Sequence, residues 1–339
     1  MRFANAVRPH NGFDDRLVLR LDTAQLSLVQ RHNSGRGAMT IPYTVELDKR
    51  VHAAIAPIFA TDMFLKNGHT NASLNATVTF VKRHDCIFAV TCHHVLEAFR
   101  NEALKSGIPL APSVHFGRTV IQFKSHHGAA IRWTFASCRD FPDRSVLNNA
   151  NALKAFNVQN ASRPDIAIAE VPSETWAMFC KDRPMQPIDL DMWDTPPWGE
   201  LGRFWAAYGF PDVHKYVAGD KVAAPMPRIT VELQSSSPQH REDFILCSPL
   251  DREHGFGFSG ISGGPVLAES EADQCFYFTG LVFEGTPSTV EPTSTEEAIF
   301  GSSDIFLRCY LLTPEAFDRW RSALKYGVEL TLCQQTSSL

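Results

Sequence analysis

The chain writes most of its apolar residues in short runs separated by turns, and that pattern restricts its fold more than any other feature. The first set is 51-VHAAIAPIFA-60, 76-ATVTFVK-82, 86-CIFAVT-91, 119-TVIQFK-124, 130-AIRWTFA-136 and 166-IAIAEV-171. The second is 203-RFWAAYG-209, 228-RITVEL-233, 243-DFILCS-248, 264-GPVLA-268, 276-FYFTGLVF-283 and 304-DIFLRCYLL-312. Most are about five to eight residues long and rich in Val, Ile, Phe and Thr, which suit a pleated, half-buried surface. The proline-rich segment 172–200 separates the sets and reads as a connection between lobes. In 314-PEAFDRWRSALKYG-327, Pro314 fits a first helical turn, and Phe317, Trp320 and Leu324 recur at helical spacing. The expected fold is all-β: two six-stranded antiparallel β-barrels closed by a C-terminal α-helix. The expected division is an N-terminal extension over 1–50, a first barrel over 51–185, a second barrel with the helix over 186–326, and a tail over 327–339. Within the extension, Asp22 to Arg31 reads as a short amphipathic helix and 32-HNSGRGAMTIP-42 as a loop.

With 339 residues, 44% of them hydrophobic and 20% charged, the chain can bury a sizeable core. A net charge of −5 lacks the basic footprint of a nucleic-acid-binding protein. No run approaches the roughly 18 apolar residues of a membrane span. The N-terminus MRFANAVRPHNGFDDRLVLR lacks the apolar core of a secretory signal, and its Met1 argues against a trimmed leader. These features predict a cytoplasmic protein that binds neither membrane nor nucleic acid. None of the eight cysteines forms a CxxC pair, and most lie in apolar, strand-like settings. They read as reduced, buried thiols, with no zinc site and no other metal.

The chemistry concentrates in 255-GFGFSGISGGPVL-267. Gly260-x-Ser262-x-Gly264 satisfies the nucleophile-elbow pattern of α/β-hydrolases, whose histidine follows the serine. The last of the thirteen histidines is His254, so that order is excluded. The remaining common order, His then Asp then Ser, asks for a histidine and an aspartate at strand ends upstream. His93 and His94 follow the strand-like 86–91 and open a helical turn; Asp165 heads the alternating 165-DIAIAEV-171. Asp140 and Asp143 are other candidate acids, although 138-CRDFPDR-144 reads as a solvated loop. His126 and His127 are adjacent on a strand-like run, so they point to opposite faces and read as surface residues.

The segment Thr91-Cys92-His93-His94-Val95 resembles the Thr-x-x-His-Val signature of trypsin-like (chymotrypsin-fold) serine peptidases. Asp165 to Ala169 resembles their aspartate strand, and Gly260 to Val266 their nucleophile loop. Ala206 to Pro211 is similar to a second-barrel turn of bacterial trypsin-like and HtrA-like members, and Gly280 to Gly285 to the strand that pairs with substrate backbone. The resemblance covers about residues 51–326. It implies Ser262 as nucleophile, His94 as general base and Asp165 as the acid that orients it. It further implies an oxyanion hole from the N–H groups of Gly260 and Ser262, and substrate contacts at Phe283, Glu284 and Gly285. Phe256 falls at the base of the primary pocket, where it disfavours a Lys- or Arg-binding floor and suits a small or apolar side chain. Glu284 and the acidic loop 286–299 would either attract a basic residue or simply be solvated.

The chain also departs from that family. Ile261 stands where secreted trypsins carry the aspartate that pairs with a newly cut N-terminus, which argues against that mode of activation. Val95 replaces the cysteine of disulfide-bonded members, favouring a reducing compartment. The 77 residues after Ser262 leave no room for a PDZ domain, and 71-NASLN-75 replaces a glycine-rich stretch. The expectation is a bacterial, intracellular serine endopeptidase of a stress or defence pathway, acting without a cofactor on protein or peptide substrates. Residues 1–50 or a regulatory partner protein would restrain it. The alternatives are a catalytically silent protein-binding module and an esterase.

Overall fold

The computed structural model describes residues 45–62, 75–106, 110–114, 120–122, 133–182, 184–211, 216–218, 221–223, 226–234, 242–248, 260–285 and 305–330, all within the unit Pro42–Leu339. The expected helix Asp22–Arg31, His126 and His127, the pocket residue Phe256 and the acidic loop 286–299 lie outside the described residues.

Hairpins organise the first half. Strand β1 (Ile55–Asp62) pairs antiparallel with β2 (Asn75–Arg83), and β2 with β3 (Cys86–Thr91). The link between β2 and β3 is His84-Asp85 alone, with φ of 51° and 60°. Positive φ at both positions marks a type I′ turn, whose twist matches that of paired strands. The chain then forms β4 (Leu110–Val114), β5 (Val120–Gln122), β6 (Trp133–Ser137), β7 (Ala167–Val171) and β8 (Ile188–Asp189). In the second half come β9 (Leu201–Tyr208), β10 (Tyr216–Ala218), β11 (Lys221–Ala223), β12 (Arg228–Leu233), β13 (Asp243–Ser248), β14 (Pro265–Ser270), β15 (Phe276–Gly285), β16 (Ile305–Leu311) and β17 (Lys325–Leu330).

One eight-stranded sheet runs β17-β6-β7-β3-β2-β1-β4, with β8 parallel to β2 outside that path. A second sheet closes on itself as the antiparallel barrel β12-β13-β16-β15-β14-β9. A small sheet, β10-β11-β5, joins the two halves. The fold is therefore mostly β with one closed six-stranded barrel. Among the described residues the second set of runs forms the closed barrel, while the first set forms a sheet that is not closed, except 119–124, whose β5 pairs with β11 in the small sheet; a second barrel is not seen among them. Run counting reveals strands but not which edges meet, because closure depends on register and tilt.

Helices also intervene: α1 (Val45–Ala54), α2 (His93–Ser106), α3 (Arg144–Leu147), α4 (Ala150–Ala161), α5 (Ser173–Asp182) and α6 (Pro314–Ala323). Helix α6 starts as its sequence implies. Thr313 accepts a hydrogen bond from the Ala316 N–H, Pro314 occupies the first turn, and Ala316, Phe317 and Trp320 are buried. It stops at Ala323, and the alternating 325-KYGVEL-330 pairs with β6. Helix α1 runs across residue 50. Its Leu47, Val51 and Ala54 share one buried face. From the same helix, Asp48 accepts from the Tyr208 hydroxyl at 2.9 Å and Arg50 donates to the Phe276 carbonyl at 3.2 Å, both on barrel strands.

Two apolar clusters hold these parts together. The barrel interior is filled by residues such as Trp205, Val231, Phe244, Val266 and Leu307, and Ile261 of the glycine loop is buried among them. The larger cluster joins α1, α2 and α6 to the open sheet and to barrel residues including Tyr208 and Tyr310.

Candidate active site

The loop 260–264 is shaped by glycines at points of closest approach. Gly260 and Gly263 have φ of 96° and 88°, a region that side chains with a β-carbon disfavour. A β-carbon on Gly263 would lie 2.1 Å from the Thr77 carbonyl oxygen, and one on Gly264 1.9 Å from that of Tyr208. Threonines of β2 strap the loop to the open sheet. The Thr77 N–H donates to the Ser262 carbonyl at 3.0 Å and the Thr77 hydroxyl to the Gly260 carbonyl at 2.9 Å. The Thr79 hydroxyl donates to the Gly263 carbonyl at 2.6 Å. Ser262 itself is 8% exposed. Among the described residues, no backbone acceptor takes the amide N–H of Gly260 or of Ser262.

His94 sits in the first turn of α2, immediately after β3. Asp165 precedes β7, the strand that pairs with β3, so the sheet register brings the two together. The Asp165 carboxylate accepts twice from this residue: from the His94 N–H at 3.0 Å and from ring Nδ1 at 2.8 Å. The other ring nitrogen, Nε2, lies 3.1 Å from Ser262 Oγ. With Nδ1–H given to the carboxylate, Nε2 carries the lone pair and accepts the serine proton. The three side chains differ in solvation, His94 being 43% exposed and Asp165 9%. Burial pushes the Asp165 carboxyl up, but the hydrogen bond and charge of His94, then the charge of Arg139, outweigh it and hold the group below its ordinary value. Its backbone N–H donates to the Tyr310 hydroxyl at 2.9 Å.

His93 is a separate structural residue. Its Nδ1 lies 2.8 Å from Ser137 Oγ, which in turn donates to the Ile166 carbonyl, and its ring packs on Phe141 at 4.4 Å. Burial lowers its pKa to about 4. Asp140 pairs with Arg163 at 2.7 Å, and Asp143 caps the short helix α3 through the Val146 N–H. Neither takes part in the cluster around Ser262.

A cleft of about 960 Å³ opens over these groups. His94, Asp165, Ser262 and Gly260 line one part of it, Phe283, Glu284 and Gly285 another, and Phe156 and Asn157 of α4 a third. The Phe283 ring stacks on Tyr310 at 4.0 Å and carries the Arg308 guanidinium at 5.1 Å. Glu284 pairs with Arg308 at 2.8 Å, so its charge is already partly matched.

The chain matches no protein-family model and no curated protein sequence. A closed antiparallel six-stranded barrel beside a second sheet is compatible with a chymotrypsin-like fold. Among the described residues no helix is long and apolar enough to cross a membrane, and no three His, Cys, Asp or Glu residues cluster as metal ligands would.

Sequence reading missed the threonine straps, the Tyr310 hydroxyl behind Asp165, and Arg139. Threonines alternating in a strand look like ordinary β-formers, so Thr77 and Thr79 give no distinguishing signal. Arg139 stands between Cys138 and Asp140, where proximity to Asp165 arises only from the pairing of β6 with β7.

Proposed function

We propose that the protein is a trypsin-like serine endopeptidase that cleaves peptide bonds through an acyl-enzyme, with Ser262, His94 and Asp165 as its triad. The observation that carries this reading is the unbroken hydrogen-bonded line from Asp165 Oδ2 through both ring nitrogens of His94 to Ser262 Oγ, at 2.8 and 3.1 Å. Chain order, the glycine-shaped loop and the Gly260 and Ser262 amides, which no backbone acceptor takes among the described residues, support it.

In the proposed reaction, Ser262 Oγ bonds to the substrate carbonyl carbon while its proton passes to His94 Nε2. The carbonyl electron pair moves onto oxygen, where the Gly260 and Ser262 N–H groups meet the negative charge; losing one such donor typically costs about 3 kcal/mol. Collapse breaks the C–N bond, and the leaving amine takes the proton from His94. Water then attacks the ester by the same path and restores the serine. Asp165 remains ionised and stabilises the imidazolium. Phe283 to Gly285, on the end of β15 beyond its pairing with β14, would pair with substrate backbone.

The seven described cysteines are free thiols, which suits a reducing compartment such as the cytoplasm. Restraint by residues 1–50 or by a regulatory protein belongs to the same proposal. A fluorophosphonate probe tests it: labelling of the wild-type protein that disappears in Ser262→Ala is expected. A folded wild-type protein that the probe leaves untouched would instead favour the silent binding module. Turnover of casein against simple esters separates a peptidase from an esterase.

A further inference from the structure

A second cation stands behind the Asp165 carboxylate. Arg139 Nη1 lies 3.6 Å from Asp165 Oδ2, the same oxygen that accepts the His94 Nδ1–H bond. The arginine is anchored: Nε donates to the Arg163 carbonyl at 2.9 Å, and its backbone N–H donates to Ser137 Oγ at 3.1 Å. Its side chain is 21% exposed and that of Asp165 9%, so salt screens this pair less than it would a surface pair. Arg163, the neighbouring guanidinium, is committed to Asp140.

One carboxylate therefore faces two cationic partners whenever His94 is protonated. A fixed positive charge beside Oδ2 favours the ionised carboxyl and opposes the imidazolium. We propose that Arg139 is a positioning residue of the site: it keeps the Asp165 carboxylate charged and aimed, and limits how strongly that carboxylate draws a proton onto His94. The inference rests on the serine-peptidase reading above. Without Arg139 the Asp165 Oδ2 that orients the His94 ring would lose its second cationic neighbour, and the charge balance that leaves Nε2 free to accept from Ser262 would shift toward the imidazolium.

Other charges facing this cluster come from four directions. Helix α2 supplies His93, Glu97 and Arg100, the last over the Phe141 ring at 5.5 Å. The segment after β6 supplies Asp140, bound to Arg163 and Lys325. Strand β16 supplies the Tyr310 hydroxyl, and the end of β3 the Cys92 thiol, both pushed up by burial. Glu97, raised by burial and by the Asp165 charge, is a carboxyl facing the cluster whose own titration would add to an acid limb, so its removal is a needed control.

The experiment is the pH dependence of the fluorophosphonate labelling rate at Ser262, measured on the full chain for wild type, Arg139→Gln, Arg139→Ala and Arg139→Lys, each repeated with Glu97→Gln. The two neutral variants should move the acid limb up by about one pH unit, a roughly tenfold slower reaction on that limb. Arg139→Lys should keep the limb close to its wild-type position. An unmoved limb in folded neutral variants, or an equal displacement in Arg139→Lys, overturns the proposal. A purely structural role would lower the plateau without displacing the limb. The His94 ring signals, followed by NMR through a pH titration in Ser262→Ala protein, give a readout independent of catalysis. The ring titration should rise in Arg139→Gln, and an unchanged titration overturns the inference. If the wild type is not labelled at all, the peptidase reading fails while the ring titration still decides the role of Arg139. Unfolding of both neutral variants alongside a normally folded Arg139→Lys also overturns it, since the charge would then be holding the fold.

Discussion

Gly264 has no room for a single added carbon. Its virtual β-carbon falls 1.9 Å from the Tyr208 carbonyl oxygen, backbone that belongs to a barrel strand and cannot swing aside. Gly264→Ala is therefore expected to destabilise the protein by about 3 kcal/mol. Gly263→Ala should behave similarly, because it adds left-handed backbone strain to a contact with Thr77. Gly199→Ala, with open space around it and no positive φ, should be close to neutral. Urea unfolding of the three variants measures the contrast. Thr77 tests the straps directly. Its hydroxyl donates to the Gly260 carbonyl and accepts from the Phe210 N–H at 3.0 Å. Thr77→Val leaves both buried groups without that partner, at a cost of about 2–4 kcal/mol. The main-chain bond to Ser262 survives, so the loop should loosen rather than collapse, and labelling of Ser262 by fluorophosphonate should slow by about tenfold.

Helix α1 shows why an element boundary matters to an experiment. Deleting residues 1–50 would cut this helix and remove Leu47 from the core and Asp48 from Tyr208 and Arg228. A chain of residues 51–339 should melt several degrees below one of residues 45–339, as thermal unfolding will show. Only the longer chain is a fair comparison with the full protein in a casein assay for N-terminal restraint. Elements rich in Val, Ile and Phe were legible in the sequence because period two and β-branching mark them, and β3, β7 and β15 fall close to their expected places. Helix α6 was legible through Pro314 and the spacing of Phe317 and Trp320. Helix α4 was not. Of its residues only Asn160 is buried, so no apolar stripe marks it, and its start is set by the Asn149 side chain accepting from the backbone N–H groups of Asn151 and Ala152. The grouping of His94, Asp165 and Ser262 was read from motif order. Their distances came only from the pairing of β3 with β7 and from the threonine contacts between the two sheets.

For the molecule as a whole, acid stability should reflect His93. Burial lowers its pKa from 6.5 to about 4, so between those values the unfolded chain binds more protons than the folded one. Stability must then rise with pH across that window, be fully present above it, and fall as pH drops through it. The shift corresponds to about 3 kcal/mol at most. Glu97, raised by burial, titrates with the opposite sign and reduces the slope, while Asp165 is held low and contributes only at more acid pH. In His93→Asn the slope between about pH 4 and 6.5 should flatten, as denaturant midpoints will report.

The pairing of β17 with β6, together with the contact of Phe317 on Phe88 at 5.3 Å, has a consequence for biosynthesis. The sheet that presents the imidazole and the carboxylate is finished by residues translated after the serine. While the ribosome still holds residues 325–330, β6 lacks its β17 partner and that edge of the sheet is unpaired. The outer edge of the sheet that carries His94 and Asp165 can therefore be completed only once residues 325–330 have left the ribosome.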